Sequence, residues 1–192
     1  MRALFDGYPG VWWIAGGWAL EAFSGRPRPH EDIDLGILRS DLPLLRAHFR
    51  DTLDVWAPSS GGVKRLRSDD RIRADADDVL PEDGEQVWLR AGADADAPWE
   101  CDILLGPGTP DEWHYKRDPS IRMPMASALW ERDGIRYLQP EIQLLYKAKG
   151  LRANDDADFA AALPLLDERR RRWLADGLTQ TIPGHPWLTR LT

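Results

Sequence analysis

The chemistry-bearing residues of this chain begin with two aspartates. In Asp32-Ile33-Asp34-Leu35-Gly36-Ile37-Leu38 apolar and polar residues alternate. A strand here places Ile33, Leu35 and Ile37 on one face and both carboxylates on the other. Like charges at neighbouring same-side positions repel unless a cation lies between them. Hard carboxylate oxygens suit Mg²⁺, which is held by one or two carboxylates together with substrate phosphates. Taken alone, the pair is equally consistent with solvent-facing side chains or with partners among Arg26, Arg28 and His30.

Two other segments supply context. In Trp99-Glu100-Cys101-Asp102-Ile103-Leu104-Leu105, a strand puts Trp99, Cys101, Ile103 and Leu105 on one face and Glu100 and Asp102 on the other. Asp102 is thus a third candidate carboxylate, and Glu100 shares its face. Upstream, the apolar run Val11–Ala15 reads as a buried strand ending at Gly16-Gly17, and Trp18–Phe23 reads as a helix stopped by Gly25. A glycine pair between strand and helix lets backbone approach a phosphate, and the helix start offers free N–H groups. Each feature has a plainer explanation: a tight turn, or a solvent-facing acid. The order strand, Gly-Gly, helix, Asp-x-Asp strand, Asp strand makes coincidence the weaker account.

The elements that must position these groups follow from the rest of the pattern. Gly25–Pro29 is a loop, since its prolines exclude regular structure. Ser40 is placed to cap a helix reaching about Phe49, and Leu53–Trp56 is strand-like. From about Ala57 to Asp83 the periodicity fails, with a Ser59-Ser60-Gly61-Gly62 turn and an acidic stretch from Asp69 to Glu85. Gln86–Leu89 returns to strand character. Asp133-Gly134 between Trp130–Arg132 and Ile135–Tyr137 reads as a hairpin turn. After Pro140 the sequence turns helical, with Ile142, Leu144, Leu145 and Ala148 as one stripe. Further helices start near Asn154 and run from Glu168 to Leu178, and the tail Pro183–Trp187 is irregular. The expected fold class is α+β, a mixed sheet with flanking helices, dividing into a catalytic region 1–138 and a helical region 139–192.

Composition bounds the function. The chain has 192 residues, 43% of them hydrophobic, enough for a real core in one domain with a small appendage. One cysteine, Cys101, makes no internal bridge and reads as a small buried hydrophobe. A net charge of −7 disfavours nucleic acid as a partner and is compatible with a cationic one. The start lacks a signal-peptide pattern and there is no membrane-spanning apolar run, so the expectation is a cytoplasmic protein without a membrane partner. P-loop, HExxH, CxxC and G-x-S-x-G motifs are missing, and the four histidines show no metal spacing. The tryptophans default to core packing, and the Arg169–Arg172 run to a solvated helix face. Asp155, Asp156 and Asp158 read as acids favoured near a helix N-terminus. Arg28 and His30 could orient a phosphate or carboxylate, with loop exposure the simpler account. The acidic stretch 69–85 reads as a solvated loop, or as the lining of a cleft for a polycation.

The run IAGGWALEAFSGRPRPHEDIDLGILR, from Ile14 to Arg39, resembles the signature of the polymerase-β-like nucleotidyltransferase superfamily, and within it is most similar to the aminoglycoside 2″-adenylyltransferase type. WECDILL, PEIQLLYKAKGLRANDDADFAAALPLL and PGHPWL fit the same resemblance, whereas residues 57–98 show none. Where the family often has serine after the first glycine, this chain has Gly17. The resemblance implies transfer of a nucleoside monophosphate from ATP or another NTP to a hydroxyl of a small acceptor, cationic if it is an aminoglycoside. It implies two Mg²⁺ ions held by Asp32, Asp34 and Asp102, with Asp102 as third ligand or general base and Glu100 as second candidate base. It further implies a phosphate cradle of Gly16, Gly17 and Trp18, and Lys147 on the β/γ-phosphates. Two other readings stay open: a toxin-like enzyme modifying protein or tRNA, and a non-catalytic module binding a nucleotide or cationic ligand.

Overall fold

In the computed structural model, residues 2–59, 62–66, 80, 84–91 and 98–191 are described. The elements in chain order are β1 (Trp12–Ile14), α1 (Gly16–Ser24), β2 (Asp34–Leu38), a 3-10 turn (Arg39–Asp41), α2 (Leu42–Phe49), β3 (Asp54–Ser59), β4 (Gly62–Leu66), β5 (Gln86–Arg90) and β6 (Cys101–Gly106). They continue with β7 (Glu112–Tyr115), β8 (Asp118–Pro124), α3 (Met125–Ala128), β9 (Leu129–Arg132), β10 (Ile135–Leu138), α4 (Pro140–Lys147), α5 (Ala153–Ala162), α6 (Glu168–Thr181) and α7 (Leu188–Leu191). This is the expected α+β class.

Eight strands form one mixed sheet in the order β4-β3-β5-β6-β2-β1-β10-β9, with β2/β6 and β1/β10 parallel. β7 and β8 make a separate hairpin. A core lies on each face of the large sheet. Leu35, Ile37, Val55, Val87, Leu89, Cys101 and Ile103 pack under Leu45 and Phe49 of α2. Trp13 and Leu38 join the other core, built with Leu20 of α1, Ile142 and Leu145 of α4, Phe159 of α5 and Leu174 and Leu178 of α6. Cys101 is the expected buried hydrophobe, and burial, ahead of the charges of Asp102 and Glu100, pushes its thiol up to about 12.

Several boundaries differ from the sequence expectation for identifiable reasons. β2 begins at Asp34, and Asp32 lies in the preceding bend. Its interior is buried on both faces, because the ring of Trp13 lies across Gly36, where any Cβ would overlap it. The glycine pair opens α1 instead of preceding it; Gly25, at φ 67°, caps the other end, its N–H bonded to Glu21 O at 2.8 Å. Ser40 lies inside the 3-10 turn, and α2 starts without a side-chain cap. Trp99 and Glu100 stand before β6 and are exposed.

The segment read as irregular from Ala57 contains the end of β3 and the whole of β4, an edge strand whose Lys64 and Arg65 hide a strand pattern while protecting an open edge. Most of the acidic stretch, 69–79 and 81–83, lies outside the described residues, as does the tip of the 59–62 turn. The Asp133-Gly134 turn has φ 55° and 73°, the paired positive values of a type I′ hairpin, between β9 and β10.

The last strand ends at Leu138, and from Pro140 the elements are helical. The irregular tail is tightly used. His185 Nδ1 accepts from the Trp187 N–H at 3.1 Å, so Nε2 carries the proton it donates to Ala148 O at 3.0 Å. Trp187, 1% exposed, stacks on Phe159 at 4.2 Å and donates its indole N–H to Asp156 at 2.6 Å. Trp187→Phe keeps the stack and loses that bond. We expect a destabilisation of about 1–2 kcal/mol, read as a lower midpoint in denaturant titration.

Candidate active site

The site starts where β1 hands over to α1 beside the first residue of β2. Ala15 N–H donates to Asp34 O at 2.9 Å, pinning the turn to the strand. Gly16 then takes φ 63°, a left-handed conformation that glycine adopts without strain, and a Cβ here would overlap the Asp34 carboxylate. The Gly16 N–H is committed to Gln143 Oε1 of α4 at 2.9 Å, a buried bond. Gly16 thus makes room for Asp34, and its amide is not presented outward. A Cβ at Gly17 would overlap the guanidinium of Arg28 and meet the His30 ring.

Asp34 and Asp102 are register partners on the parallel strands β2 and β6, so their side chains share a sheet face. Asp102 is also the register partner of Trp88 on β5, whose indole hydrogen-bonds its carboxylate. Asp32, exposed in the bend, is tied to α1 through Trp18, whose indole N–H donates to Asp32 O at 2.9 Å while its ring stacks on His30 at 4.3 Å. His30 in turn bonds Glu21 at 2.8 Å. Glu100 is exposed, one residue ahead of β6.

The three aspartates act on one another. Burial, then the charges of Asp32 and Asp102, raise the Asp34 carboxyl to about 6 against opposing effects of Lys147 and Arg152. Asp102 is raised by burial, held back by the Trp88 hydrogen bond, and raised again by Asp32. Among the described residues, no group of three or more His, Cys, Asp and Glu side chains is arranged to hold a metal ion as it stands. The donor chemistry nevertheless fits a hard dication: all oxygen, anionic, and mutually repelling to a degree visible in Asp34.

Asp34 opens into a cavity of about 440 Å³, within the range of small-molecule sites. Trp13 and Leu104 from the sheet, Trp113 from the β7–β8 hairpin and Tyr146 from α4 give it apolar walls. Lys116, Arg117, Lys147, Lys149 and Arg152 also line it, against three acids: Asp34, Glu85 and Asp155. Lys116 pairs with Glu85 at 2.6 Å. The cavity as a whole is therefore suited to an anion with an aromatic or apolar part.

Lys147 lines the cavity, and its ammonium is shared between Asp155 at 2.9 Å and Asp158 at 3.0 Å. Asp155 and Asp156 lie in the first turn of α5 as the sequence reads them, and Asp155 and Asp158 also pair with cations. Asp155 is fully buried between Lys147 and Arg152, Asp158 binds Arg28 and Lys147, and Asp156 takes the Trp187 indole. Single-sequence reasoning missed Gln143, Trp88, Arg152 and this ion network. The network had one signal, the i,i+3 spacing of Asp155 and Asp158; Gln143 had none.

Burial would raise the Asp155 carboxyl, but hydrogen bonds from Arg152 and Lys147 outweigh it and hold it below the usual carboxylate range. A carboxylate lowered in the fold stabilises above its unfolded pKa, and that stabilisation is lost as pH falls through the folded value. Asp155→Asn is therefore expected to cost about 2 kcal/mol at pH 7. In denaturant titrations at several pH values the gap to wild type should close below about pH 4.

The fold is shared with solved structures. The structure of lincosamide antibiotic adenylyltransferase LnuA, solved with lincomycin bound, aligns with 83% of this chain and 90% of its own, at 15% identity and a TM-score of 0.51. JHP933 from Helicobacter pylori aligns over 98% of this chain and 78% of its own, at 15% identity and a TM-score of 0.47. The particular likeness is in sequence. Residues 1–55, which hold the glycine turn, Asp32 and Asp34, match the family described as aminoglycoside-2″-adenylyltransferase. No curated protein matches the chain. Among the described residues, no helix is long and apolar enough to cross a membrane.

Proposed function

We propose that this protein transfers a nucleoside monophosphate, AMP from ATP in the first instance, to a hydroxyl of a small antibiotic-like acceptor, an aminoglycoside by preference. The observation that carries the reading is the in-register pair Asp34 and Asp102 beside a cation-lined cavity. The acceptor hydroxyl attacks the α-phosphorus, and pyrophosphate leaves. Asp32, Asp34 and Asp102 would hold Mg²⁺, which when bound neutralises charge on the transferring phosphoryl group. The remaining work belongs to the chain. Lys147 has three N–H donors and gives two to Asp155 and Asp158, which leaves one for phosphate. Lys149 and Arg152 supply further positive charge at the cavity. Trp13 and Tyr146, which line the cavity, would pack against the nucleoside. Asp102, raised by burial against the opposing Trp88 hydrogen bond, would take the hydroxyl proton.

The test is pyrophosphate release from ATP across aminoglycoside and lincosamide panels, with mass spectrometry of the drug. The lincosamides are included because LnuA was solved with lincomycin. We expect release that requires both an acceptor and a divalent metal, a drug heavier by one AMP, and complete loss with chelator. Acceptor-independent behaviour across both panels, or label from ATP appearing only in protein or tRNA of a cell extract, would overturn the small-acceptor reading.

A further inference from the structure

The loop from α1 to β2 brings a second cationic group to the glycine turn. The Arg28 guanidinium lies against Gly17, filling the space a side chain there would need. Its position is fixed from several directions. Arg28 Nε and Nη2 donate to Asp158 Oδ1 and Oδ2 at 2.9 and 3.1 Å, Nη1 donates to Pro29 O at 2.9 Å, and the backbone N–H donates to Glu21 at 3.0 Å. Glu21 also holds His30, so the whole loop is tied to α1. Three of the five guanidinium N–H groups are thereby used, and two remain for an anion. The side chain is 24% exposed, so it is ordered yet reachable.

Asp158 makes this more than a local contact. The same carboxylate bonds Lys147, which Asp155 shares, and Asp155 binds Arg152. Three cations are thus held by two carboxylates, in one network that reaches from the glycine turn to the cavity wall.

We propose that Arg28 binds the phosphates of the incoming nucleotide, with Asp158 as its positioning residue. The inference rests on the nucleotidyltransferase reading and adds to it a phosphate ligand supplied by the α1–β2 loop. Its test is calorimetric titration of the full chain, with magnesium present, using ATP, pyrophosphate and adenosine as separate probes. For Arg28→Met we expect ATP and pyrophosphate to bind at least tenfold more weakly and adenosine to bind within twofold of wild type. Arg28→Lys, which keeps the charge but loses the fork, should lose several-fold, again only for the phosphorylated probes. Asp158→Asn should weaken ATP binding three- to tenfold by loosening Arg28 and Lys147. Should Arg28→Met fail to fold in a thermal melt, the lysine variant decides. Wild-type affinity for pyrophosphate in the arginine variants, or an equal loss for adenosine and ATP, would overturn the proposal and leave the enzyme reading intact. Failure of the wild-type chain to bind ATP or pyrophosphate would overturn both.

Discussion

Asp34→Asn is expected to lower nucleotidyl transfer on the order of a thousandfold and, in the same molecule, to make the metal-free fold more stable. The carboxyl is raised from 3.8 to about 6 by burial and by Asp32 and Asp102. An acid raised in the fold contributes fully below its unfolded pKa, and its contribution is lost as pH rises through the folded value. Above about pH 6 the ionised group therefore weighs against folding, by on the order of 3 kcal/mol for a shift of this size. Asparagine removes that charge at every pH. In denaturant titrations without metal, the variant should exceed wild type at pH 7.5 and converge with it near pH 4. The combination separates a repulsive ligand cluster from an ordinary surface acid, for which both effects would be near zero. Equal stability of the two proteins at pH 7.5 would mean that burial and the neighbouring carboxylates do not raise Asp34 in the folded protein.

Gly16→Ala is expected to damage stability and chemistry together. At φ 63° an L side chain is strained by about 1–2 kcal/mol before any contact is counted. The added methyl also overlaps the Asp34 carboxylate, itself bounded by β2 and by the turn bond from Ala15. Relief requires moving the carboxylate or opening the Gly16–Gln143 bond. We expect a loss of about 3 kcal/mol, a fall in Tm of about 10 °C for a chain of this length. A loss of at least a hundredfold in activity should accompany it, because the displaced group is Asp34. Gly25→Ala is the control. It has a similar φ of 67° and open space around the added Cβ, so it should cost only the backbone strain and leave activity unchanged in the surviving folded protein.

How much of this could be read from the sequence depended on whether a residue's task is local. The glycine turn, the helix stop at Gly25, the Asp133-Gly134 hairpin and the helices after Pro140 are dictated by backbone conformation and short-range periodicity, and they are legible. Asp34 and Asp102 were legible as polar positions of alternating strands, although only the parallel pairing of β2 with β6 makes them neighbours. The boundary at Asp32 was not. Its alternation continues the strand pattern, but the chain bends there and Trp18 takes its carbonyl. The β7–β8 hairpin and α3 escaped because the alternation of β7 and the single turn of α3 are each only four residues long, and Trp113, Tyr115 and Met125 are buried against helices far away in sequence. Lys147 and Arg28 are ordinary charged residues by spacing, and the i,i+3 spacing of Asp155 and Asp158 signals a shared helix face without naming its partners. Their burial and pairing come from packing α1, α4 and α5 together.

If carboxylates from neighbouring strands act as one unit on a nucleotide held in the adjoining cavity, a crystal structure of the full chain with Mn²⁺ and a non-hydrolysable ATP analogue will show it, since the anomalous signal of the ion identifies the metal. We expect ion density shared by Asp34, Asp102 and the analogue's phosphates, with Asp32 drawn in beside them. Analogue bound away from this cavity, or bound in it with no ion on any of the three aspartates, would refute the shared site.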